Sequence, residues 1–233
     1  MPTKFPFEKY SFNSESALQV LPEEDFEFLQ SRMKDHRYKK GQTIFIEGTR
    51  PSGIYFIKSG KVKKYKSNPD GKEQIIYICN AGELVGYHAL LCEEPYPDSA
   101  AAIEDSVVAF IPGEIFLEVL NRSTVLSNKL LRNLSHEFGV LVNGIATFAH
   151  RTVRERLALC LLILKEKFRI KDQKDKPVEI TLSREDLSNM VGTAVETLVR
   201  LLHDFKDEKL IETEGRKIRV LDAKRLVKVA NFY

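Results

Sequence analysis

The chain has 233 residues, of which 43% are hydrophobic and 30% charged, as is ordinary for a soluble globular protein of one large or two modest domains. The net charge of +3 is too small to indicate a nucleic-acid partner by itself. From Arg151 onward, however, 19 Lys and Arg residues stand against 14 Asp and Glu residues, a net charge of +5, and the preceding part carries −2. The C-terminal part is therefore the one expected to contact phosphate groups.

Several function classes are excluded by what the chain lacks. The cysteines Cys79, Cys92 and Cys160 are widely spaced and form no CxxC pair, so neither a disulfide scaffold nor a zinc module is predicted, and no metal or cofactor is expected. The N-terminus has no signal-peptide core, and the longest apolar run, Leu157 to Leu164, is too short to span a bilayer. No GxSxG, HExxH or P-loop pattern occurs, so we expect a cytoplasmic protein that is not an enzyme.

The chain from residue 21 to residue 112 predicts one helix followed by many short strands. Pro22, with acidic residues after it, suits a helix start, and an apolar helical face continues to Met33. From Tyr38 to Pro112, glycines separate short apolar runs, and Asn68-Pro69-Asp70-Gly71 predicts a turn. Short strands at near-regular spacing predict an all-β barrel or jelly roll.

The run Lys61-Val62-Lys63-Lys64-Tyr65-Lys66 has two interpretations. It could contact an acidic partner or a phosphate group, since four lysines lie within six residues. Alternation along an exposed strand explains the same pattern without any ligand. We therefore expect these lysines to form a solvated face.

After residue 122 the pattern becomes helical, with a seam of apolar residues on one face. The spacings along this seam are three, four, three, four and three, as in a helix that packs in parallel against its own copy. The seam residues are Leu131, Leu134, Phe138, Leu141, Ile145 and Phe148. The same face could instead cover the β-domain, and Gly139 and Gly144 weaken the helix by ~1 kcal/mol each.

A hinge is expected at Ala149 to Thr152, before the C-terminal domain. A second helix follows, and Cys160 is expected to be a small buried residue on its apolar side. The residues on that side are Val153, Leu157, Cys160, Leu161, Leu164 and Phe168. The remaining elements predicted outside the DNA-binding motif are a charged loop at 171–177, a strand at 178–181 and a short helix at 222–229.

Residues 181–210 predict two capped helices joined by a tight turn. Ser183 and Asp186 form a capping box that starts the first helix near Arg184. Gly192 provides a break, because glycine readily adopts the left-handed conformation of a sharp turn. Thr193 and Glu196 are expected to form a second capping box. Such a pair is typical of a helix-turn-helix, whose second helix enters the DNA major groove.

The residues opposite the apolar side of the second helix are candidates for reading bases. Arg200 offers a bidentate fork for guanine, and Glu196 can accept a hydrogen bond from cytosine. An alternative is that Glu196 only caps the helix and Arg200 is a solvated surface residue. The alternating segment at 210–220, with a turn at Gly215, predicts an adjacent hairpin with basic residues, and this combination indicates a winged helix.

These motifs resemble those of the CRP/FNR superfamily of bacterial transcription regulators. The resemblance rests on the Arg-Glu-Asp-Leu opening, the Val-Gly turn, the Glu196-Thr197-x-x-Arg200 core and the Leu-Ile pair ahead of the wing glycine. The β-rich region resembles the cyclic-nucleotide-binding β-roll that the family uses as its sensor, through the segments 40–48, 54–60 and 80–91. Where cyclic-AMP-responsive members carry an arginine, this chain has Val195, so the resemblance leaves the target sequence open.

The resemblance implies two sets of DNA contacts. The expected base-reading residues are Val195, Glu196, Thr197 and Arg200. The expected phosphate contacts are Ser183, Arg184, Thr193, Arg216 and Lys217.

The same resemblance predicts that cyclic AMP does not bind productively. In cyclic-nucleotide-binding members a glutamate takes the ribose hydroxyl and an arginine neutralises the phosphate. Here Tyr87 stands at the glutamate position and Asp98 at the arginine position, and loss of one partner of a buried ion pair costs roughly 3–5 kcal/mol. The positions that contact the base fall near Leu141 and Val142. The candidate effector pocket comprises Gly86, Tyr87, His88, Asp98, Ser99, Leu141 and Val142.

Two points about this pocket stay open. His88 invites a metal or haem interpretation, but a lone histidine beside an aromatic residue is more often simply packed. Tyr87, His88 and Asp98 line either a pocket for a cationic or neutral ligand or the remnant of an unused one. Some relatives hold an iron–sulfur cluster on an N-terminal cysteine group, whereas here the first cysteine is Cys79, so a four-cysteine cluster within one chain is not expected.

The fold expected is α+β, with an N-terminal jelly-roll or β-roll sensor domain (1–122), a long dimerisation helix and hinge (123–150) and a C-terminal winged helix-turn-helix (151–233). We expect a homodimeric, sequence-specific transcription regulator with an unidentified small-molecule effector. Its expected partners are RNA polymerase and duplex DNA that carries a palindromic site. No membrane association is expected. The alternative is a cyclic-nucleotide-type regulatory subunit acting on a partner protein, against which the winged helix weighs.

Overall fold

The region of short apolar runs separated by glycines folds into antiparallel strands, as predicted. The computed structural model describes residues 5–12, 17–169 and 177–231. The first eight strands are β1 Lys34–Tyr38, β2 Thr43–Phe45, β3 Gly53–Ser59, β4 Lys61–Ser67, β5 Glu73–Asn80, β6 Leu84–Val85, β7 Ser99–Ala102 and β8 Ser106–Pro112. They form two four-stranded sheets, in the orders β1-β8-β3-β6 and β2-β7-β4-β5, whose described pairings are all antiparallel. The predicted jelly-roll architecture is confirmed.

The boundary between the first helix and the first strand differs from the prediction. The helix α1, Glu23–Gln30, starts after Pro22 as expected but ends before Met33. The strand β1 begins at Lys34, earlier than the predicted start of the β-region. Its sequence, Lys-Asp-His-Arg-Tyr, carries no apolar alternation because it is an edge strand that pairs with β8 and exposes most of its side chains.

Helices pack on this β-roll and share one apolar core with it. Besides α1, they are α2 Tyr87–Leu91, α3 Gly113–Arg122 and α4 Thr124–His150. Phe116, Leu126 and Leu130 of the last two helices are buried in the same cluster as Ile54 and Ile111 of the sheet. The β-roll thus holds the N-terminal half of the long helix through apolar contacts.

The C-terminal elements follow the predicted winged-helix order. Their bounds are α5 Val153–Lys167, β9 Glu179–Thr181, α6 Arg184–Val191, α7 Val195–Asp207, β10 Ile211–Glu214, β11 Lys217–Val220 and α8 Ala223–Val229. The three strands form a small antiparallel sheet in the order β10-β11-β9. A helix break lies within the predicted hinge, since α4 ends at His150 and Thr152 caps α5 through a capping box with Glu155. The predicted charged loop at 171–177 lies, except for Pro177, outside the described residues.

The chain divides into two compact units, one of which is Phe12–Phe138. The other combines residues 139–231 with residues 5–11. In this second unit the side-chain amide of Asn143 donates to the carbonyl of Lys9 at 3.0 Å, and a 3₁₀ turn at Phe7–Tyr10 packs on α5. The N-terminal segment therefore packs with the winged-helix elements, whereas the predicted domain division groups it with the sensor.

Candidate nucleic-acid interface and sensor pocket

The two helices of the helix-turn-helix start differently: α6 has the predicted side-chain cap, whereas α7 starts without a side-chain cap. The Ser183 hydroxyl accepts from the Asp186 amide at 2.9 Å, and α6 ends at Gly192 in the left-handed conformation, with φ at 72°. The expected capping box between Thr193 and Glu196 is wrong. The residue that precedes α7 is Ala194, without a side-chain cap, because the Thr193 amide is used in the turn by the carbonyl of Ser188.

The outward face of α7 carries the residues predicted to read bases. Buried Leu198, Leu202 and Phe205 fix the opposite face of the helix in the domain core. Val195, Glu196 and Arg200 are exposed and Thr197 is half-buried. Val199 is also exposed on this helix, a position that the prediction missed because an isolated valine in a helical pattern reads as core. Its methyl groups are suited to contact a thymine methyl.

The wing carries less free positive charge than its sequence suggests. Lys217 Nζ lies 2.8 Å from a Glu179 carboxylate oxygen, and Arg219 bonds the other oxygen of the same carboxylate. Glu212 and Glu214 lie within 3.6 and 3.9 Å of the Arg219 guanidinium. The predicted basic wing is therefore largely neutralised by acidic residues of its own sheet.

Two other predicted phosphate contacts already have partners within the domain. The Ser183 hydroxyl also donates to the Asp186 carboxylate at 2.5 Å, and Arg184 donates to the carbonyl of Gly215 at 2.9 Å. Arg184 thereby ties the start of α6 to the turn of the wing. Burial lowers the pKa of the Arg184 guanidinium, one nitrogen of which is buried without a hydrogen bond. Arg216 remains exposed at the wing tip.

The β-roll interior contains an ion pair between Lys64 of β4 and Asp98. Lys64 Nζ lies 3.1 Å from Asp98 Oδ2, and only 11% and 8% of the two side chains are exposed. The second carboxylate oxygen of Asp98 is buried without a hydrogen-bond partner. The expectation that the lysine run forms a solvated face is wrong for Lys64, which lies on the same inward face as buried Val62. It is also wrong for Lys63, whose side chain is equally 11% exposed and pairs with Glu73.

A second buried bond joins the short helix α2 to the long helix α4. The Tyr87 hydroxyl donates to a Glu137 carboxylate oxygen at 2.6 Å. Burial, together with the negative charge of Glu137, raises the pKa of Tyr87, so the hydroxyl keeps its proton. Burial also raises the pKa of Glu137, against the opposing effect of the hydrogen bond from Tyr87. This bond links the predicted effector pocket to the predicted dimerisation helix within one unit.

His88 is largely buried in the same region. Burial, assisted by the positive charge of Lys64, lowers the pKa of His88 to about 3, so the imidazole is neutral at pH 7. Ser99, another predicted pocket residue, is buried and accepts a hydrogen bond from the Glu47 amide at 2.9 Å. Leu141 and Val142 belong to the other unit, where both are exposed.

Comparison with known proteins assigns both parts of the chain. Residues 35–123 match the cyclic nucleotide-binding domain family, and residues 155–229 match the Crp-like helix-turn-helix domain family. The fumarate and nitrate reduction regulatory protein of Vibrio cholerae is 31% identical over 82% of this chain and 76% of its own length. The chain belongs to the CRP/FNR family. This CRP/FNR regulator is also 31% identical to the transcriptional activator protein anr of Pseudomonas aeruginosa, over 90% of the chain and 86% of that relative.

Solved structures show the same fold at lower identity. FixK2 from Bradyrhizobium japonicum is 20% identical, with a TM-score of 0.76 over 86% of this chain and 98% of its own. A CooA mutant from Carboxydothermus hydrogenoformans is 21% identical, with a TM-score of 0.75 over 96% and 99% of the two chains. Together with the matched DNA-binding domain, the curated relatives make the chain a DNA-binding transcription regulator of the CRP/FNR type. They favour this function over the alternative of a regulatory subunit.

The residues of this CRP/FNR regulator do not fit the two groups that the family resemblance raised, a cyclic nucleotide and a four-cysteine iron–sulfur cluster. An anionic phosphate at the Asp98 position would meet a carboxylate, and the nearby cation, Lys64, is already paired with that carboxylate. A four-thiolate iron–sulfur cluster needs one cysteine more than the three present, of which Cys79 and Cys160 are buried. Burial raises the pKa of the Cys160 thiol to about 12, as expected for a packed residue. Among the described residues, no three His, Cys, Asp or Glu side chains form a metal-binding group.

Within the described ranges, no helix combines the length and apolar character needed to cross a membrane.

Proposed function

We propose that this CRP/FNR regulator is a homodimer that reads a two-fold symmetric DNA site through α7. The apolar line on α4 carries this proposal. Leu131, Phe138 and Ile145 recur every seven residues and are 63%, 71% and 71% exposed, and Leu141 and Phe148 are each 44% exposed. Large apolar side chains in a continuous exposed row are characteristic of an interface, and a heptad row favours a parallel helix pair.

Leu134 has a different role from its neighbours in the predicted seam. It is half-buried and packs against the apolar core of the β-roll. Because Leu134 follows the same heptad pattern, the sequence could not distinguish a residue that faces the sensor from one that faces a second chain. The proposed dimer contact therefore consists of the five exposed residues.

We assign base reading to Glu196 and Arg200, with Val195 and Thr197 beside them. Both charged side chains are exposed near the N-terminal end of α7, the end by which a recognition helix approaches base edges. For the phosphate contacts, we place Arg216 first, because Ser183, Arg184 and Lys217 already bond within the domain. Thr193 lies in the turn that precedes the recognition helix.

We propose that cyclic AMP is not the effector. The Lys64–Asp98 pair and the Tyr87–Glu137 bond place two carboxyl groups in the predicted pocket region, and a cyclic nucleotide would bring a third negative charge. Gly86, which precedes α2, belongs to the same unit as these groups, whereas Leu141 and Val142 of the predicted pocket lie in the other unit. A calorimetric titration of the full-length protein is expected to detect no cyclic-AMP binding, and micromolar binding would contradict this assignment.

The curated relatives also suggest a compartment and a second partner for the protein. Because the curated relatives are transcription regulators, we propose that the protein acts in the cytoplasm, with RNA polymerase as a second partner. Pull-down of RNA polymerase with the DNA-bound regulator would test the proposed contact with the polymerase.

The central proposal is tested by selecting duplexes from a random library with the full-length protein. Two inverted half-sites, with centres about one helical turn apart, are expected in the selected sequences. Sedimentation of the complex on such a duplex should give two protein chains per duplex. A single unrepeated site bound by one chain would reject the dimer, and no enrichment at all would reject sequence-specific reading.

A further inference from the structure

The turn that precedes α7 depends on a side chain from another helix. α6 ends at Val191, and the amides of Gly192 and Thr193 both bond back to the carbonyl of Ser188, at 2.8 and 3.1 Å. The last carbonyls of a helix have no partner within it. Here Arg156 of α5 supplies the donors. Its Nε lies 2.9 Å from the Val191 carbonyl oxygen, and one Nη lies 3.1 Å from that of Gly192.

The same guanidinium also reaches the hinge between α4 and α5. Its other Nη donates to the carbonyl of Arg151 at 2.9 Å. Its central carbon lies 5.4 Å from the centre of the Phe148 ring, on the last turns of α4. A single side chain of the second unit thus contacts the end of the long helix, the hinge and the helix-turn-helix turn.

We propose that Arg156 is a positioning residue for DNA recognition. It holds the turn before α7 in a fixed place relative to the hinge, so that the two recognition helices of a dimer are set by the paired α4 helices. A planar guanidinium suits this task because its fork bonds several carbonyl oxygens in one geometry, at the negative end of α6. This inference rests on the proposed symmetric dimer.

The contacts predict a specific pattern of DNA binding. Packing of α7 inside the domain does not need Arg156, since Leu198, Leu202 and Phe205 are buried in the core. One winged helix should therefore still bind a single half-site after Arg156 is changed. Simultaneous binding of two half-sites requires the two recognition helices to be held at a fixed separation. A looser hinge would make that separation variable and would weaken simultaneous binding.

The test compares the full-length protein and its variants on a selected palindrome, a single half-site and random DNA. Arg156→Gln is expected to weaken binding to the palindrome about tenfold and to the half-site less than twofold. A looser turn and hinge would reduce the extra affinity that the dimer gains by binding two half-sites at once. Arg156→Lys, which keeps the charge but not the fork, should fall between Arg156→Gln and the wild type. Equal losses on palindrome and half-site, or no loss on either, would overturn the positioning role.

A matched control exists two residues earlier on α5. Arg154 forms two 2.7 Å bonds with Glu208 and lies over the Phe205 ring, so Arg154→Gln also removes an arginine contact from the domain without touching the hinge or the turn. It should leave the ratio of palindrome to half-site affinity unchanged, and a change as large as that of Arg156→Gln would overturn the proposal. If Arg156→Gln unfolds at the assay temperature, as followed by circular dichroism, the Arg156→Lys ratio decides. Wild-type protein that binds palindrome and half-site equally would instead refute the dimer itself.

Discussion

The Tyr87 hydroxyl donates a 2.6 Å hydrogen bond to the Glu137 carboxylate, and this bond joins α2 of the β-roll to α4. Tyr87→Phe should therefore destabilise the sensor unit by ~1–3 kcal/mol, because it leaves a buried carboxylate without its donor while the ring stays in place. Urea unfolding measures the loss. Tyr65→Phe, on β4, removes a hydroxyl that makes no comparable bond to a buried carboxylate among the described residues, and should cost less. A loss for Tyr87→Phe no larger than for Tyr65→Phe would show that the bond between Tyr87 and Glu137 does not stabilise the packing of α2 on α4.

The buried Lys64–Asp98 pair predicts a large asymmetry between single and double substitutions. Asp98→Ala leaves a buried ammonium group unpaired and should cost about 3–5 kcal/mol of unfolding free energy. Adding Lys64→Met removes that charge and should recover most of the loss. The exposed pair Lys39–Asp105 provides the comparison, since 78% and 67% of its side chains are accessible and Asp105→Ala should cost much less than Asp98→Ala. Similar losses at the two aspartates would show that the interior pair is hydrated.

The neutral state of His88 predicts a pH dependence of stability. Its pKa of about 3 in the folded protein lies below the ordinary value, near 6.5 in an unfolded chain. Between these two values the unfolded chain binds a proton that the folded protein does not. The His88 contribution is therefore fully present above pH 6.5 and falls as the pH falls, by at most ~1.4 kcal/mol per pH unit. His88→Gln removes this contribution.

The measurement is the unfolding free energy of His88→Gln minus that of the wild type, from urea unfolding between pH 4.5 and 8. The difference should be flat above pH 6.5 and shift in favour of the variant below it. Burial raises the pKa of Asp98 and Glu137, which gives the opposite slope, but both residues are present in both proteins. A parallel pH series on His36→Gln, at an exposed position of β1, is the control for the change of residue type. A flat difference for His88→Gln down to pH 4.5 would show that the imidazole is hydrated.

Local sequence signals located the elements but not the contacts between them. The cap at Ser183 and the turn at Gly192 depend on residues within a few positions and are confirmed. The expected cap at Thr193 failed although its residue types are right, because the chain uses the Thr193 amide to close the preceding turn. A pattern of residue types therefore identifies a helix start more reliably than it identifies which backbone amide is bonded.

Long-range partners account for most of what the sequence could not predict. Lys64 was expected in solvent because its partner, Asp98, is 34 residues away and carries no local signal. Arg156 likewise has no local signal, because the carbonyls to which it donates lie 35 and 36 residues later. The exposure of Val199 on α7 could not be predicted because an apolar residue in a helical pattern is usually buried. In all three cases the fold, and not the local pattern, decides what each side chain contacts.

The exposed row on α4 predicts that a single charge prevents dimer formation. Ile145→Glu should shift the full-length protein from dimer to monomer in analytical ultracentrifugation, because the paired helices would bring two carboxylates together in an apolar contact. Lys129→Glu, elsewhere on the same helix, tests whether any added acid has this effect. A wild-type protein that is monomeric at micromolar concentration would contradict the seam directly.

Arg200 and Arg216 should affect DNA binding in different ways. Arg200 is exposed on α7 and is assigned to a base edge, so Arg200→Ala should lose ~1–3 kcal/mol on the selected site and little on random DNA. Arg216 at the wing tip is assigned to a phosphate group. Arg216→Ala should weaken binding to both duplexes and reduce the salt slope of the binding constant by about 0.9 per subunit.

Fluorescence anisotropy at several salt concentrations separates the two roles. Lys217→Ala is the useful third variant, since its ammonium group is already paired with Glu179 at 2.8 Å. If that ion pair persists on DNA, Lys217→Ala should change the salt slope less than Arg216→Ala does. Equal slopes for these two variants would mean that Lys217 leaves Glu179 for a phosphate group. Equal losses of Arg200→Ala on selected and random duplexes would place Arg200 at the backbone and leave Glu196 and its neighbours to read the bases.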